Sequence, residues 1–381
     1  MASSRNVGLD YLRSVAIIVV LINHALIGFF YTTSVIVIDG LFASFTAASV
    51  IAIEWLFVLS GFLIGAMMIR SFDRNQGWLK SAKDFWLRRW FRTIPNYYLF
   101  FAVNFLLAIY GVTTDGYIYS HLWFSQNLAW EEANRSFFGE AWSLALDEWF
   151  YFLMPIIVGI LAFFPLNKKA IFIFASILLI VLPVAGRMQH TVPTDFFQWD
   201  EQIRRITIYH LDATGWGVLA AATSKWFPGW WNTRIKGKAI IGLFFMAAGL
   251  FFVVSLVHPK YMNYSMYSFG SAFSITLMSG GTLLFLPWLT RVNFSWRPVT
   301  WVTEKLSEYS YSIYLSHFPL LFLFKFFIAI NKNSSGTLLF LVVSSWFLLV
   351  VCLSGVIFNY FEKPIADLRE SFTKRVDASP F

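Results

Sequence analysis

The chain has 381 residues, of which 58% are apolar, 20% aromatic and only 13% charged. Soluble domains run at about 45–50% apolar and about a quarter charged, so a cytosolic domain does not fit, and neither does a disordered chain. The single cysteine, Cys352, excludes a disulfide scaffold and a multi-cysteine metal site. A formal charge of +8 would suggest nucleic acid in a soluble protein. In a chain of mean hydropathy +0.62 it reads instead as cationic loops on the cytoplasmic face of a membrane.

A membrane-spanning helix needs about 20 mostly apolar residues. Ten such runs follow in chain order, at 11–30, 49–69, 93–111, 143–164, 170–186, 205–224, 239–257, 267–288, 308–330 and 337–360. None has the alternation of an outer-membrane barrel strand. The expected fold class is all-α integral membrane: a polytopic bundle of about ten transmembrane helices, in one domain over 1–364 with a short cytoplasmic tail over 365–381. The first run carries Arg13 and His24 and no small-residue cleavage site follows it, so it is read as a retained span. With both termini in the cytoplasm, 21 of the 29 Lys and Arg fall on inside segments and 4 on outside loops, among them Arg187, the bias that the positive-inside rule expects.

An ionisable residue within a span costs several kcal/mol unless paired or hydrated, so each is a functional candidate. In the first run, Arg13 and His24 are eleven residues apart, three helical turns plus about 20°, on one face and about 16 Å apart along the axis. The plain alternative is a snorkelling arginine and a hydrogen-bonded interior histidine. The second run holds Glu54 and Ser60; FVLSGF lacks the nucleophile-elbow spacing, which makes Ser60 a poor nucleophile. The basic stretch from Arg70 ends in RRWFRTIP, and its Arg88, Arg89 and Arg92 suit the phosphates of a nucleotide-like group. Positive-inside topology or anionic lipid explains the same arginines. No phosphate-binding loop, dinucleotide fingerprint or metal-ligand spacing is present.

Asp147 and Glu148 lie about one turn into the fourth run, at a depth that could match His24 and pair with it. Their alternative is placement near a helix N-terminus, with Ser143 as a cap. His210 and Asp212 point to different faces of the sixth run and are not expected to pair directly. Tyr311, Tyr314 and His317 form a polar edge in the ninth run, with Pro319 as a kink.

Together these segments resemble the membrane acyltransferase-3 family. GLDYLRSVAIIVVLINHALI is similar to its arginine, ten residues, histidine signature. IEWLFVLSGFLIG resembles its acid-then-FVLSGFLI segment, with Glu54 where aspartate is usual. RRWFRTIPNYY is similar to its arginine-rich segment. AWSLALDEWFYFLMP resembles its WSL-acid-acid motif, with Asp147 where glutamate is usual. HLDATGWGVLAA has His210 in place of an arginine. YSYSIYLSHFPLL and FEKPI complete a series running from residue 8 to about 364.

The resemblance implies a ten-helix acyl-CoA-dependent O-acyltransferase of the bacterial inner membrane. It would move an acyl group, most often acetyl, from acetyl-CoA to a hydroxyl of an extracytoplasmic carbohydrate such as O-antigen. By the same resemblance Arg13 and His24 are essential, Arg70, Arg88, Arg89 and Arg92 face coenzyme A, and Glu148 is a stronger acid candidate than Asp147. Larger relatives carry a fused SGNH-type domain. None is read here, so the expectation is a stand-alone form or a separate periplasmic partner. His24 is expected to act as general base, with membrane lipids, acyl-CoA and the carbohydrate as partners, no nucleic acid and no metal. The rival readings are a flippase of lipid-linked sugars, a membrane scaffold, or an acyltransferase with a lipid, peptidoglycan or small glycosylated acceptor.

Overall fold

The computed structural model describes residues 6–30, 39–73, 77–113, 118–132, 137–257, 264–293, 296–328 and 334–368, and no strand occurs among them. Helix α1 spans Val7–Ala25 and continues through a π-helical turn, Leu26–Phe30. It is followed by α2 (Asp39–Asp73), α3 (Trp78–Ile109), the short α4 (Ile118–Leu122), α5 (Ala141–Leu161) and α6 (Lys168–Gln189). Then come α7 (Phe196–Trp199), α8 (Thr207–His210), α9 (Asp212–Trp226), α10 (Pro228–Asn232) and α11 (Ile235–Val257). The series ends with α12 (Tyr264–Leu289), α13 (Arg297–Phe327) and α14 (Gly336–Ile357).

Among the described residues, seven stretches are long and apolar enough to cross a membrane: α1 with its π-turn, most of α2, α5, α6, α11, α12, and α14 with its continuation to Leu368. The protein is an integral membrane helical bundle. The apolar runs at 93–111, 205–224 and 308–330 fall on α3, α8–α9 and α13. Helices α3 and α13, at 32 and 31 residues, outrun their apolar stretches into charged ends, and α9 has only 15 residues. The cations Arg5, Arg74, Arg135, Lys260, Lys332, Arg369, Lys374 and Arg375, and the expected tail beyond Leu368, lie outside the described residues.

Side-chain caps set several helix starts. Asn6, Asn167 and Ser335 each accept the backbone N–H three residues on, at 3.1, 2.9 and 3.2 Å, which satisfies one of the orphan donors of a first turn. Ser143 is not such a cap: Glu140 holds the N-cap position of α5 without a side-chain bond, and Ser143 lies inside the helix. Arg187, expected on an outside loop, is buried in the last turn of α6.

Helix α1 packs between α2 and α13, and α13 also contacts α3 and α14; α9 lies against α2, α6 and α12, while α11 and α12 pair along their length. Contact of α2 with α9 is backbone to backbone. A Cβ on Gly61 would stand 2.1 Å from the Thr214 carbonyl oxygen, and one on Gly217 would stand 2.2 Å from that of Val58. Small residues at such crossings let helices pack where lipid supplies no hydrophobic drive between them. This crossing holds Ser60 against the polar centre described next.

Candidate active site

Helices α1, α3, α5 and α13, with α2 at one side, enclose a cavity of about 220 Å³. Each helix contributes side chains at helical spacing, three or four residues apart. Arg13 comes from α1 and Ser60 from α2; Arg89, Arg92 and Thr93 come from α3. Helix α5 gives Ser143, Asp147, Glu148 and Tyr151, and α13 gives Tyr311 and Tyr314. Of the three expected arginines Arg88, Arg89 and Arg92, the cavity is lined by Arg89 and Arg92 and not by Arg88. Three arginines and two carboxyl groups line this volume, and α2 adds the Ser60 hydroxyl.

Within it, the Ser60 hydroxyl donates to Asp147 Oδ1 at 3.0 Å. Its oxygen lies 3.1 Å from the Tyr151 hydroxyl; with Ser60 donating to the carboxylate, Tyr151 is the donor of the second bond. The Arg89 guanidinium stands over the Tyr151 ring, 5.6 Å from its centroid, in cation–π contact. Arg89 Nε is buried without a hydrogen-bond partner. Arg13 Nη1 reaches the Ser307 hydroxyl at 3.4 Å, and that hydroxyl donates to Asp10 Oδ1 at 2.5 Å.

His24 is not among the cavity's lining residues. Its ring stacks on His317, with centroids 4.9 Å apart and planes 18° apart, and His24 Nδ1 lies 2.9 Å from His317 Nε2. The expected pairing of His24 with Asp147 or Glu148 is replaced by this contact, because α5 sets its acids level with Arg13 and Arg89 while His24 lies about 16 Å along α1 from Arg13. Tyr314 joins the two regions. Its hydroxyl is 2.7 Å from that of Ser143 on the cavity wall, and its carbonyl oxygen lies 2.6 Å from His317 Nδ1.

Other candidates are held elsewhere. Glu54 is buried, with Oε1 2.8 Å from His210 Nε2 and Oε2 accepting the Ser279 hydroxyl at 2.9 Å. Asp212 forms a two-pronged pair with Arg187 at 2.9 and 2.7 Å, and Arg187 also donates to the Ala272 carbonyl and to Thr276. His210 and Asp212 thus have separate partners. Arg70 is exposed in the last turn of α2, and Arg88, half-buried, is not a cavity residue. Sequence reasoning missed Tyr151 as a cavity residue; its i+4 spacing from Asp147 was the available signal. Nothing in the spacing of Arg187 and Asp212 marks them as partners.

The chain matches the acyltransferase-3 family, described as an acyltransferase domain, over residues 6–358. It belongs to that family. It is similar to O-acetyltransferase OatA of Staphylococcus aureus (strain NCTC 8325 / PS 47), with 25% identity over 344 residues, 82% of this chain and 50% of the relative. It is also similar to Peptidoglycan O-acetyltransferase OatA of Listeria monocytogenes serovar 1/2a, with 23% identity over 350 residues, 82% of this chain and 49% of the relative. The chain spans about half the length of these curated relatives. No solved structure matches it.

Proposed function

We propose that this member of the family transfers an acetyl group from acetyl-CoA, bound from the cytoplasm, to a hydroxyl of an extracytoplasmic carbohydrate at a bacterial plasma membrane. The observation that carries this reading is the cavity of Arg13, Arg89 and Arg92, joined through Tyr314 to the His24–His317 pair. The donor set suits an acyl-CoA. Arg92 is exposed while Arg89 keeps a buried Nε without a partner, so phosphates have cations both at the mouth and inside. About 220 Å³ is below the roughly 300–1,000 Å³ of a pocket for a drug-sized ligand. That volume suits an extended arm and not a whole nucleotide, which leaves the nucleotide at the Arg92 end.

Acyl-CoA supplies the activated acyl group as a thioester. Arg89 and Arg92 hold phosphate oxygens in charge-assisted hydrogen bonds, and Arg13 fixes the direction of the arm along the face it shares with His24. His24 takes the hydroxyl hydrogen as the new carbon–oxygen bond forms and the carbon–sulfur bond breaks, and it returns that proton to the departing thiolate. Atoms and charge then balance without a further reactant. Asp147, held by Ser60, and Glu148 balance the arginine charges.

An O-antigen or other surface polysaccharide sugar is the proposed acceptor. A peptidoglycan sugar is the second reading, favoured by the name of the Listeria relative, a peptidoglycan O-acetyltransferase. The test uses purified protein with radiolabelled acetyl-CoA, comparing wild type, His24→Ala and Arg89→Ala, and offers both acceptors in parallel. Saturable donor binding weakened by Arg89→Ala, with transfer lost in His24→Ala, is expected. Normal transfer by His24→Ala would overturn the role of the histidine. No donor binding at all would overturn the acyl-CoA reading and return the flippase to consideration.

A further inference from the structure

His24 has two ring nitrogens, and only one of them can be the base. In a neutral imidazole one nitrogen carries the hydrogen and the other the lone pair, and the partner of the first decides which is which. The deciding contact here starts at the backbone. His317 Nδ1 lies 2.6 Å from the carbonyl oxygen of Tyr314. A carbonyl oxygen can only accept, so His317 Nδ1 carries hydrogen. Neutral His317 therefore presents a bare Nε2. That lone pair faces His24 Nδ1 at 2.9 Å, so His24 Nδ1 is the donor of the second bond. His24 Nε2 is left as the bare nitrogen.

The frame behind this chain is rigid. The bond to Tyr314 is made three residues back along α13, within one helical turn, so it does not depend on another helix. His317 itself is fully buried, and its carbonyl accepts the Trp346 indole of α14 at 3.2 Å. Phe318 closes on both rings, with centroids 4.6 Å from each.

We propose that His317 is a positioning residue that holds His24 in its Nδ1–H form and thereby assigns Nε2 as the atom that takes the acceptor's proton. The assignment of the proton transfer rests on the proposed acyl transfer; the assignment of the tautomer does not. Free histidine in water prefers the opposite form, with the hydrogen on Nε2, so the two cases are separable. No carboxylate takes part in this chain. When His24 gains its second proton, its Nδ1–H still has the same neutral acceptor in His317, and no buried negative charge has to be kept between turnovers.

The tautomer is read directly by nitrogen NMR of protein labelled with [15N]histidine. The chain has only 6 histidines, and His24→Ala identifies the His24 signals. In wild type the expected result is a protonated Nδ1 and an unprotonated Nε2 on His24. In His317→Ala the form should revert to Nε2–H, and turnover should fall about 10²-fold with the KM for acyl-CoA unchanged, in the direction known for a catalytic histidine held in the wrong tautomer. His317→Gln keeps an amide oxygen that can accept from Nδ1–H, so it should retain the tautomer and most of the turnover. A wild-type His24 with hydrogen on Nε2 would overturn the proposal, whatever the variants do. So would a His24 that keeps Nδ1–H in His317→Ala, or a His317→Gln variant no better than His317→Ala. If the wild-type signals are as expected but His24→Ala still turns over normally, the tautomer assignment stands and the role of His24 as the base fails.

Discussion

The two halves of the bundle treat buried charge in opposite ways. Around α6, α9 and α12 the ionised groups are held in pairs: Arg187 is claimed by Asp212, Thr276 and two backbone carbonyls. Glu54 is shared between His210 and Ser279, and Asp200 takes Arg204 and Arg205. Around α1, α3 and α5 the charges border a cavity, and Arg89 keeps a buried nitrogen with nothing to bond. Arg204 Nε is also unbonded, but that guanidinium is paired with Asp200 and does not line the cavity, whereas Arg89 does. An open network carries an unmet cost until a ligand enters, which is the arrangement expected of a binding site. Family membership alone does not separate these groups, since Glu54 and Asp212 stand in segments that resemble family motifs as much as Arg13 does.

The largest effect should come at the junction of the open region. His24→Ala is expected to lower acyl transfer by about 10²–10⁴-fold, the usual contribution of a general base, while donor binding and the elution profile on size exclusion stay as in wild type. Loss of donor binding together with turnover would place His24 in the donor site and erase the division between the cavity and the histidine pair.

In the closed region the expected loss is of stability. Arg187→Ala leaves a buried Asp212 without its partner and should cost about 3–5 kcal/mol, read as a drop in the thermal midpoint in detergent. Arg187→Met combined with Asp212→Leu removes both charges and should recover most of that loss. Transfer per folded molecule should be close to normal in the double variant. If the double variant folds but cannot turn over, the closed network is part of the site and the comparison fails.

Much of this was legible in the sequence, and what was not has a common cause. The ten apolar runs lie on helices because hydropathy registers the solvent that a segment needs. Arg13, Arg89, Arg92, Asp147 and Glu148 converge on one cavity; Arg13 and the two acids stood out as charges where charge is expensive, and Arg89 and Arg92 as part of a basic cluster beside a span. The partners did not stand out. Asp147 could be placed at a depth but not matched to Ser60, and His24 could be placed on a face but not matched to His317. Depth along a helix follows from the rise per residue, whereas neighbours depend on how helices are rotated and packed, and the glycine crossing of α2 on α9 that presents Ser60 has no single-sequence signature. Arg187 was misread for the same reason: counted as a loop cation, it is the buried end of a pair 25 residues apart in the chain.

Of the three cavity arginines, Arg89 carries the unmet bond, so a graded result is expected there. Arg89→Lys keeps the charge but not the planar fork of donors, and should raise the KM for acyl-CoA several-fold. Arg89→Ala should raise it by about 10-fold or more, with kcat less affected, because loss of binding shared by ground and transition states appears in KM. Equal losses in both variants would mean that the guanidinium geometry, not the charge, does the binding. No change in either would move the donor away from this cavity.

The effect confined to pH sits at the edge of the open region. Glu140 precedes α5, is 1% exposed, and has two carboxyl oxygens without hydrogen-bond partners. Burial pushes its carboxyl well above the ordinary carboxylate range, and nearby Glu132 adds to the rise. The folded state therefore binds this proton more tightly than the unfolded chain. Stability from this group is complete below the unfolded carboxylate value and is lost as pH rises toward the folded one. Wild type should lose stability with increasing pH above about 4.3, the model-peptide value for glutamate, at up to about 1.4 kcal/mol per unit. Glu140→Gln keeps the shape without the titration and should remove that slope while leaving the low-pH thermal midpoint nearly unchanged. A Glu140→Gln variant with the wild-type slope would show that Glu140 is charged and paired when folded, and α5 would then begin as the closed region does.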